Sequence, residues 1–244
     1  MNNQRVGIVT GASTGIGRAI AIAFSRRNIA VALAGRNLPG LLETKTIIER
    51  VGGNAEIFNV DLSNQESLND FVVEINNTYS EIDILANVAG VWHDRQKAFY
   101  GVHLDNLPAA QINEVIDVNL KSTMLLTSKI IPLIKKNKRG KIINISGTFA
   151  GGGARWLHYY VSKLAVENFT KGLADELRES NIQVNCISPS DVATPALKKY
   201  FPEAISSALD PKDVAKLAVF LACSSVARDI SGEVIVIKKG MDKT

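Results

Sequence analysis

The chain begins with a short apolar run that leads directly into a glycine-rich turn and then a helical pattern. The run is Val6–Val9, and the turn, Gly11–Gly17, carries glycine at its first, fifth and seventh positions. Apolar residues then recur at helical spacing as far as Phe24. Glycines let the backbone approach a pyrophosphate closely, and the free N–H groups of a helix start favour its negative charge. The pattern therefore indicates a dinucleotide-binding unit rather than an ordinary tight turn.

Six further apolar runs have the character of buried strands, and amphipathic helical stretches separate them. Because the runs are mostly unbroken, we expect helices on both faces of the sheet. Alternating strands and helices favour a parallel sheet with right-handed crossovers. Two helices are predicted to be long, Ala109–Lys136 and Trp156–Ser180. The seven predicted strands are Val6–Val9, Ala30–Ala34, Ala55–Asn59, Ile82–Ala86, Lys141–Ile145, Gln183–Ile187 and Val234–Ile237.

The composition is ordinary for a globular protein, with 46% hydrophobic residues, 21% charged residues and a net charge of +4. The densest basic run, Lys135–Arg139, falls where a long helix should end and suits that end of the helix dipole, so we expect no nucleic-acid binding. No apolar run reaches the length of a membrane span, and we expect no signal peptide before the first strand. Cys186 and Cys223 lack metal-type spacing and indicate a reducing compartment. We therefore expect a cytoplasmic protein without membrane partners.

A tyrosine and a lysine lie one helical turn apart in the second long helix. They are Tyr159 and Lys163, and Ser146 lies upstream at the end of the fifth predicted strand. A free phenol has a pKa of about 10, which is too high for proton exchange at neutral pH. A neighbouring ammonium stabilises the phenolate, so the tyrosine can exchange a proton with a carbonyl or alcohol oxygen. A serine hydroxyl could hold that oxygen. The alternative is an accidental surface pair, which is common on helices.

Four segments, in this order, resemble the motifs of the short-chain dehydrogenase/reductase family: Thr10–Gly17, Asn87–Gly90, Tyr159–Lys163 and Asn185–Pro189. The likeness runs from Val6 to about Gly240. It implies a single-domain, Rossmann-type, doubly wound α/β fold over residues 1–244, a nicotinamide cofactor and the tyrosine–lysine mechanism. It also implies a small carbonyl or alcohol substrate and a homodimer or homotetramer formed through the two long helices.

The resemblance further implies roles for individual residues. Asn119 is the residue whose backbone holds a water in the proton relay to Lys163, and Asp61 contacts the adenine. The segment Asn87–Gly90 lies under the adenosine ribose, and Pro189–Thr194 lies beside the nicotinamide amide. The predicted catalytic residues are Asn119, Ser146, Tyr159 and Lys163. The predicted cofactor contacts are Gly11, Ser13, Thr14, Gly15, Ile16, Gly17, Arg36, Asn37, Asp61, Leu62, Asn87, Ala89, Gly90, Tyr159, Lys163, Pro189, Ser190, Val192 and Thr194.

The position of the catalytic serine is ambiguous by one residue. Counting back from Tyr159 at the family's usual spacing gives Ser146, whereas counting forward along the strand from Asn144 gives Gly147. An offset of one residue turns a strand side chain to the opposite face. Thr148 is a third source of a hydroxyl. We assign the role to Ser146 and keep Gly147 and Thr148 as alternatives.

The end of the second predicted strand indicates the choice of cofactor. An acidic residue there would accept a hydrogen bond from the ribose 2′-OH and repel a 2′-phosphate. This chain has Gly35 followed by Arg36. A guanidinium suits a phosphate through paired, charge-assisted hydrogen bonds, so we predict NADP(H). The alternative is a solvated surface arginine.

The substrate side is less specific, because the segment Thr194–Asp210 is short for the family's substrate lid. The histidines and acids of 92–107 show no spacing that would converge on a metal, so none is predicted. Residues that could line a cleft, or could simply pack or be solvated, are Trp92, His93, Phe149, Arg155, Trp156, His158 and Tyr200.

The sequence thus predicts an NADP(H)-dependent oxidoreductase that interconverts a secondary alcohol and a ketone, with tyrosine acid/base catalysis. One alternative is a degenerate NADP(H)-binding sensor or scaffold without turnover, which the uncertain serine motivates. A second is a 3-oxoacyl-thioester reductase, which the short lid makes less favourable.

Overall fold

The computed structural model describes residues 4–137, 139–149 and 152–240. Every predicted strand is present, with bounds within two residues of those expected. The strands are β1 (Arg5–Thr10), β2 (Ile29–Gly35), β3 (Ala55–Asn59), β4 (Ile84–Asn87), β5 (Gly140–Ile145), β6 (Ile182–Pro189) and β7 (Val234–Ile237). The helices are α1 (Gly15–Ser25), α2 (Leu38–Arg50), α3 (Gln65–Thr78), α4 (Ala109–Ile116), α5 (Ser122–Lys136), α6 (Leu157–Glu176), α7 (Pro195–Tyr200) and α8 (Pro211–Cys223).

The strands form one parallel seven-stranded sheet in the order β3-β2-β1-β4-β5-β6-β7. This confirms the predicted Rossmann-type α/β fold. The order reverses between β1 and β4, and open α/β sheets bind their ligands in the crevice at such a point. The glycine turn follows β1, and the segment Val88–Gly90 follows β4, so both border that crevice.

Two apolar cores cover the sheet, one on each face. On one face the core is formed with α1, α2 and α8, where Phe24, Leu41 and Leu221 are buried. On the other face it is formed with α3, α5 and α6, where Phe71 and Ile130 are buried. Because both faces are covered, the central strands are apolar at successive positions, as the sequence indicated.

The long helix predicted at Ala109–Lys136 is present as α4 and α5 joined by a π-helical turn, Asp117–Lys121. Such a turn adds one residue to the helical repeat and is frequent at functional sites. It carries Asn119 at its centre. The second long helix is α6, followed by a short 3₁₀ turn at Arg178–Ser180.

Candidate active site

The glycine turn after β1 has a backbone that requires glycine. Gly15 has a φ of 54°, and a Cβ there would lie 2.9 Å from the Thr194 side chain. A Cβ on Gly17 would overlap the carbonyl of Gly11. Thr14, which precedes α1, makes no capping hydrogen bond with its side chain. The turn therefore forms a close backbone cradle at the start of a helix, which fits a pyrophosphate.

Thr10, the last residue of β1, ties the two sides of the crevice together. Its Oγ1 accepts hydrogen bonds from the backbone N–H groups of Val88 (2.9 Å) and Ala89 (3.0 Å). Asn87 has its side chain directed away from the crevice, since its Nδ2 donates to Thr127 Oγ1 and Asn144 Oδ1, both at 2.9 Å. A contact of Asn87 with the cofactor would therefore be made through its backbone.

The predicted selector of the cofactor, Arg36, lies beside Asp61. Its Nη1 is 3.6 Å from Asp61 Oδ2, and more than half of the Arg36 side chain is exposed. Burial opposes ionisation of Asp61, but hydrogen bonds from Ser63 and the charge of Arg36 hold its pKa below the usual value. Asn37 uses its side chain to cap α2, accepting from Gly40 N at 3.3 Å. Arg36 is thus the guanidinium at this end of the crevice that remains open to a ligand.

The remaining predicted cofactor contacts divide into two groups. Ser13 is buried close to Gly40, and Leu62 packs against the α3 face of the core. The others line the cleft beyond the glycine turn: Ile16, Gly90, Pro189, Ser190, Val192 and Thr194.

Tyr159 and Lys163 lie on the cleft-facing side of α6. Lys163 is buried, its Nζ donates to Ile145 O at 3.0 Å, and it lies 5.7 Å from the centre of the Tyr159 ring. Burial lowers the pKa of Lys163 to about 8. Burial, with a further contribution from the Asp191 carboxylate, raises the pKa of Tyr159.

Asn119 fixes α6 against the loop that follows β4. Its Oδ1 accepts from Val91 N at 2.7 Å, and its Nδ2 donates to Val91 O (3.1 Å) and to Ser162 Oγ (3.0 Å). Ser162 in turn donates to the backbone carbonyl of Tyr159 at 2.7 Å. Asn119 therefore positions the turn of helix that carries both Tyr159 and Lys163.

Ser146 lines the cleft, but the contacts of its hydroxyl favour the alternative position, Gly147, for the catalytic role. Its hydroxyl is buried and donates to Glu167 Oε1 at 2.8 Å, and the same carboxylate oxygen accepts from Ser188. The next residue, Gly147, has the orientation expected of the catalytic serine: a Cβ there would lie 3.8 Å from Tyr159 Oη. The physical reason is the alternation of side chains along an extended strand end.

Thr148, the third candidate, has hydrogen-bond partners on β6. Its Oγ1 donates to Ser188 O at 2.8 Å and lies 3.1 Å from Ser188 Oγ. Beside Tyr159, the end of β5 therefore presents a glycine, with both flanking hydroxyls bonded elsewhere.

The cleft at Tyr159 has a volume of about 350 Å³ and aromatic walls. Of the residues predicted to line it, Trp92, Phe149 and Trp156 do so. Asp191 and Phe201 also line it and were not predicted from the sequence. Asp191 could have been predicted, because it lies inside the segment Pro189–Thr194 that the resemblance places beside the nicotinamide. Phe201 follows α7, and nothing in the local pattern marks which face that short helix presents.

The other residues predicted for the cleft have different partners. His158 is buried with its Nε2 3.0 Å from Gln111 Nε2, and burial lowers its pKa. Tyr200 donates its hydroxyl to Asp94 O at 2.7 Å, and its ring packs on His93. Arg155 is exposed with a φ of 64°. Lys138 of the predicted basic run and Gly151 of the loop before α6 lie outside the described residues.

Within the described ranges, no group of three or more His, Cys, Asp or Glu side chains is arranged to hold a metal ion. In the same part of the chain, no helix combines the length and apolar character needed to cross a membrane.

The comparisons with known proteins agree with this geometry. Residues 5–204 match the family model described as short chain dehydrogenase. The chain belongs to the short-chain dehydrogenase family. It is 33% identical to the 3-oxoacyl-[acyl-carrier-protein] reductase FabG of Aquifex aeolicus, over 97% of each chain.

Solved structures agree with the family assignment. The 3-oxoacyl-[acyl-carrier protein] reductase of Brucella melitensis superposes with a TM-score of 0.86 at 28% identity, covering 96% of this chain and 90% of that one. An actinorhodin polyketide ketoreductase variant crystallised with NADPH superposes with a TM-score of 0.87 over the whole of both chains, at 24% identity. At that identity the second likeness concerns the fold. The chain is thus an oxidoreductase of this family.

Proposed function

We propose that this dehydrogenase interconverts a secondary alcohol and a ketone with NADP(H), using Tyr159 as the proton donor and acceptor. The observation that carries the proposal is the convergence of Tyr159, Lys163 and Asn119 at one cleft beside the glycine turn. The bound nicotinamide would supply or accept the hydride. The cradle described above fits its pyrophosphate, because the close backbone contacts leave no room for side chains at Gly15 and Gly17.

Tyr159 holds the substrate oxygen and moves its proton. In ketone reduction the phenol donates a proton to the oxygen, and in alcohol oxidation the phenolate accepts one. Lys163 stabilises the phenolate, since its ammonium lies 5.7 Å from the ring and its pKa of about 8 keeps it mostly charged at neutral pH. Asn119 holds the backbone of this helical turn through Ser162.

Gly147 removes the second donor that a serine would give to the substrate oxygen. One preorganised donor in a shielded site is worth about 10²–10³ in rate. We therefore expect modest turnover of simple ketones, with Tyr159 as the single hydroxyl that faces the carbonyl. The same observation supports the alternative reading, a cofactor-binding sensor without turnover.

Arg36 is the feature that supports NADP(H) rather than NAD(H). It is exposed, and its contact with Asp61 at 3.6 Å is long for a charge-assisted hydrogen bond. A 2′-phosphate would offer the guanidinium two closer acceptors. Such a phosphate would also lie near the Asp61 carboxylate, and this proximity limits the gain.

The proposal is tested by following NADPH oxidation with the purified protein and a panel of ketones, and by following NADP⁺ reduction with the matching alcohols. Turnover that disappears in Tyr159→Phe supports the enzyme. NADPH binding by calorimetry without turnover of any compound supports the sensor. Acetoacetyl-CoA belongs in the panel, because curated relatives are 3-oxoacyl reductases.

We further propose a homodimer or homotetramer formed through α5 and α6. Large apolar side chains on these helices are exposed in the single chain: Met124, Leu157 and Val161. Light scattering of the wild type and of Val161→Glu tests this assembly, since a charge at a buried contact would shift the mass towards the monomer.

A further inference from the structure

The substrate side of the cleft has a packed aromatic wall built from three separate segments. Trp92 follows β4, Trp156 precedes α6, and Phe201 follows α7. Their ring centres are 6.0 Å apart for Trp92 and Trp156, 6.0 Å for Trp92 and Phe201, and 5.9 Å for Trp156 and Phe201. Rings at these distances contact one another, so the three form one continuous apolar surface rather than an open cage.

The Tyr159 ring contacts both this wall and a fourth ring. Its centre is 5.7 Å from that of Trp156 and 5.7 Å from that of Phe149. Phe149 lies over Gly147, where a Cβ would be 3.7 Å from its ring. A carbonyl held by Tyr159 therefore lies close to aromatic surface from Trp156 and Phe149.

The wall is held in place by hydrogen bonds between the segment after α7 and the loop after β4. Tyr200 donates its hydroxyl to Asp94 O at 2.7 Å, and Lys199 Nζ donates to Arg95 O at 2.8 Å. These bonds join the segments that carry Phe201 and Trp92. A preformed wall binds a rigid ring without the cost of ordering loops.

The charges at the cleft disfavour an anion. Among the described residues that line it, the charged side chains are Lys163, which is buried beside Tyr159, and Asp191, which is exposed. The lysine of the neighbouring segment, Lys199, is bonded to Arg95 and lies over the Tyr200 ring. A carboxylate or phosphate on the substrate would meet the exposed Asp191, whereas the buried Lys163 donates to Ile145 O.

We propose that the substrate is an uncharged ketone, or the matching alcohol, with an apolar ring attached to the reacting carbon, and that Asp191 discriminates against anionic analogues. The inference rests on the proposed function. Because Gly147 offers no second donor to the oxygen, ring contact rather than a second hydrogen bond orients the carbonyl.

The test compares three ketones with the full-length protein and NADPH. Acetophenone carries a ring, methyl hexyl ketone has the same number of carbons without one, and para-acetylbenzoate adds a carboxylate to the ring. We expect kcat/KM for acetophenone to exceed that for each of the others by about tenfold. Equal or higher kcat/KM for methyl hexyl ketone would overturn the ring preference.

Variants of the aromatic wall test whether it causes the preference for acetophenone over methyl hexyl ketone. Trp156→Ala, and Phe201→Leu as a variant that keeps apolar volume, should reduce the ratio of acetophenone to methyl hexyl ketone towards one, mainly through KM. Phe220→Ala on α8 removes a partly exposed ring that does not line the cleft, and it should leave the ratio unchanged. An unchanged ratio in both wall variants would contradict the assignment.

Asp191→Asn tests the charge discrimination. The ratio of para-acetylbenzoate to acetophenone should rise about fivefold at low salt, and the gain should shrink as salt is added. Using a ratio cancels any effect of the substitution on Tyr159, which both ketones share. An unchanged ratio in Asp191→Asn would show that Asp191 does not discriminate against anionic ketones.

Measurements of ketone binding distinguish failure of this inference from failure of the proposed function. Acetophenone and methyl hexyl ketone are titrated by calorimetry into the NADP⁺ complex. Preferential binding of acetophenone with no turnover of any ketone would reject the enzyme and keep the ring site. Turnover of methyl hexyl ketone or acetoacetyl-CoA, with no preference for acetophenone, would keep the enzyme and reject the ring site.

Discussion

One side of the cleft is formed mainly by backbone and the other mainly by side chains. The cofactor side is mainly backbone, with glycines at Gly11, Gly15 and Gly17 and strand ends tied together by Thr10. The substrate side is mainly aromatic side chains from segments far apart in the chain. A backbone cradle tolerates little change at its glycines, whereas a wall of side chains can be altered one ring at a time. The cofactor side is thus expected to be fixed in its chemistry and the substrate side to set specificity.

The strongest test of this division is Tyr159→Phe, which removes the proposed proton donor from the substrate side. It removes the hydroxyl and retains the ring packing against Trp156 and Phe149. We expect kcat/KM to fall by about 10³-fold or more, because the proton donor is lost from the chemical step. NADPH affinity by calorimetry should stay within about twofold of the wild type.

Tyr160→Phe is the matched control for this substitution. Tyr160 packs its ring against Phe149 at 5.0 Å and has no lysine one turn later. Its loss of a hydroxyl should leave kcat/KM within about threefold of the wild type. A dead Tyr160→Phe enzyme together with an active Tyr159→Phe enzyme would mean that the wrong tyrosine has been assigned.

Gly147→Ser should add to the substrate side the donor that it lacks. A Cβ at this position makes ordinary contacts of 3.7 Å with Phe149 and 3.8 Å with Tyr159 Oη, so the serine fits. We expect kcat/KM for a small ketone to rise by about 10-fold to 10²-fold, somewhat below the full worth of a preorganised donor. Steady-state kinetics with methyl hexyl ketone measures the gain.

Ser146→Ala tests whether residue 146 or residue 147 occupies the position of the family's catalytic serine. Its hydroxyl donates to Glu167, so its removal should cost some stability and leave kcat/KM within about threefold of the wild type. A loss of about 10²-fold or more in Ser146→Ala, with no gain in Gly147→Ser, would restore Ser146 to the catalytic role.

The same contrast explains what the sequence could predict. The glycine turn, the seven strands and the tyrosine–lysine pair depend on local patterns in the sequence, and the fold prediction was confirmed. Ser146 depended on a register of one residue at the end of β5, where extended geometry alternates faces and the counts from either end disagreed. In the structure the Ser146 hydroxyl donates to Glu167, which favours Gly147 as the residue that faces Tyr159.

The substrate wall was predicted only in part. Trp92 and Trp156 stood out as large aromatic residues near the site, but their contact depends on how two loops and a short helix converge. Phe201 and Tyr200 are neighbours in the chain with opposite roles, since one lines the cleft and the other anchors its segment to Asp94. No periodic signal in a helix as short as α7 separates the two.

Arg36→Glu is the corresponding test on the cofactor side. The wild type should bind NADP(H) at least about tenfold more tightly than NAD(H), a difference of about 1.4 kcal/mol. The substitution should reverse the preference, because a carboxylate repels the 2′-phosphate. The KM for the ketone at saturating cofactor should stay unchanged. Equal dissociation constants of the wild type for the two cofactors, measured by calorimetry, would exclude Arg36 as the selector.

A small effect on the pH dependence is expected at Asp191, which lines the cleft near Tyr159. Its negative charge destabilises the phenolate and is a secondary contributor, after burial, to the raised pKa of Tyr159. Removing the charge in Asp191→Asn therefore lowers that pKa. Alcohol oxidation needs the phenolate, so the rising limb of its kcat/KM plotted against pH should move to lower pH. We expect a displacement of less than about one pH unit, because Asp191 is exposed and solvent screens its charge.

The same substitution should affect ketone reduction at its alkaline limit. Reduction needs the protonated phenol, so its decline should also begin at lower pH in Asp191→Asn than in the wild type. Profiles of kcat/KM against pH in both directions measure the pair of shifts. Glu203→Gln removes a nearby exposed carboxylate that does not line the cleft, and it should leave both limbs in place. Limbs that move to higher pH in Asp191→Asn, or that move equally in Glu203→Gln, would show that Asp191 does not act on Tyr159 through its charge.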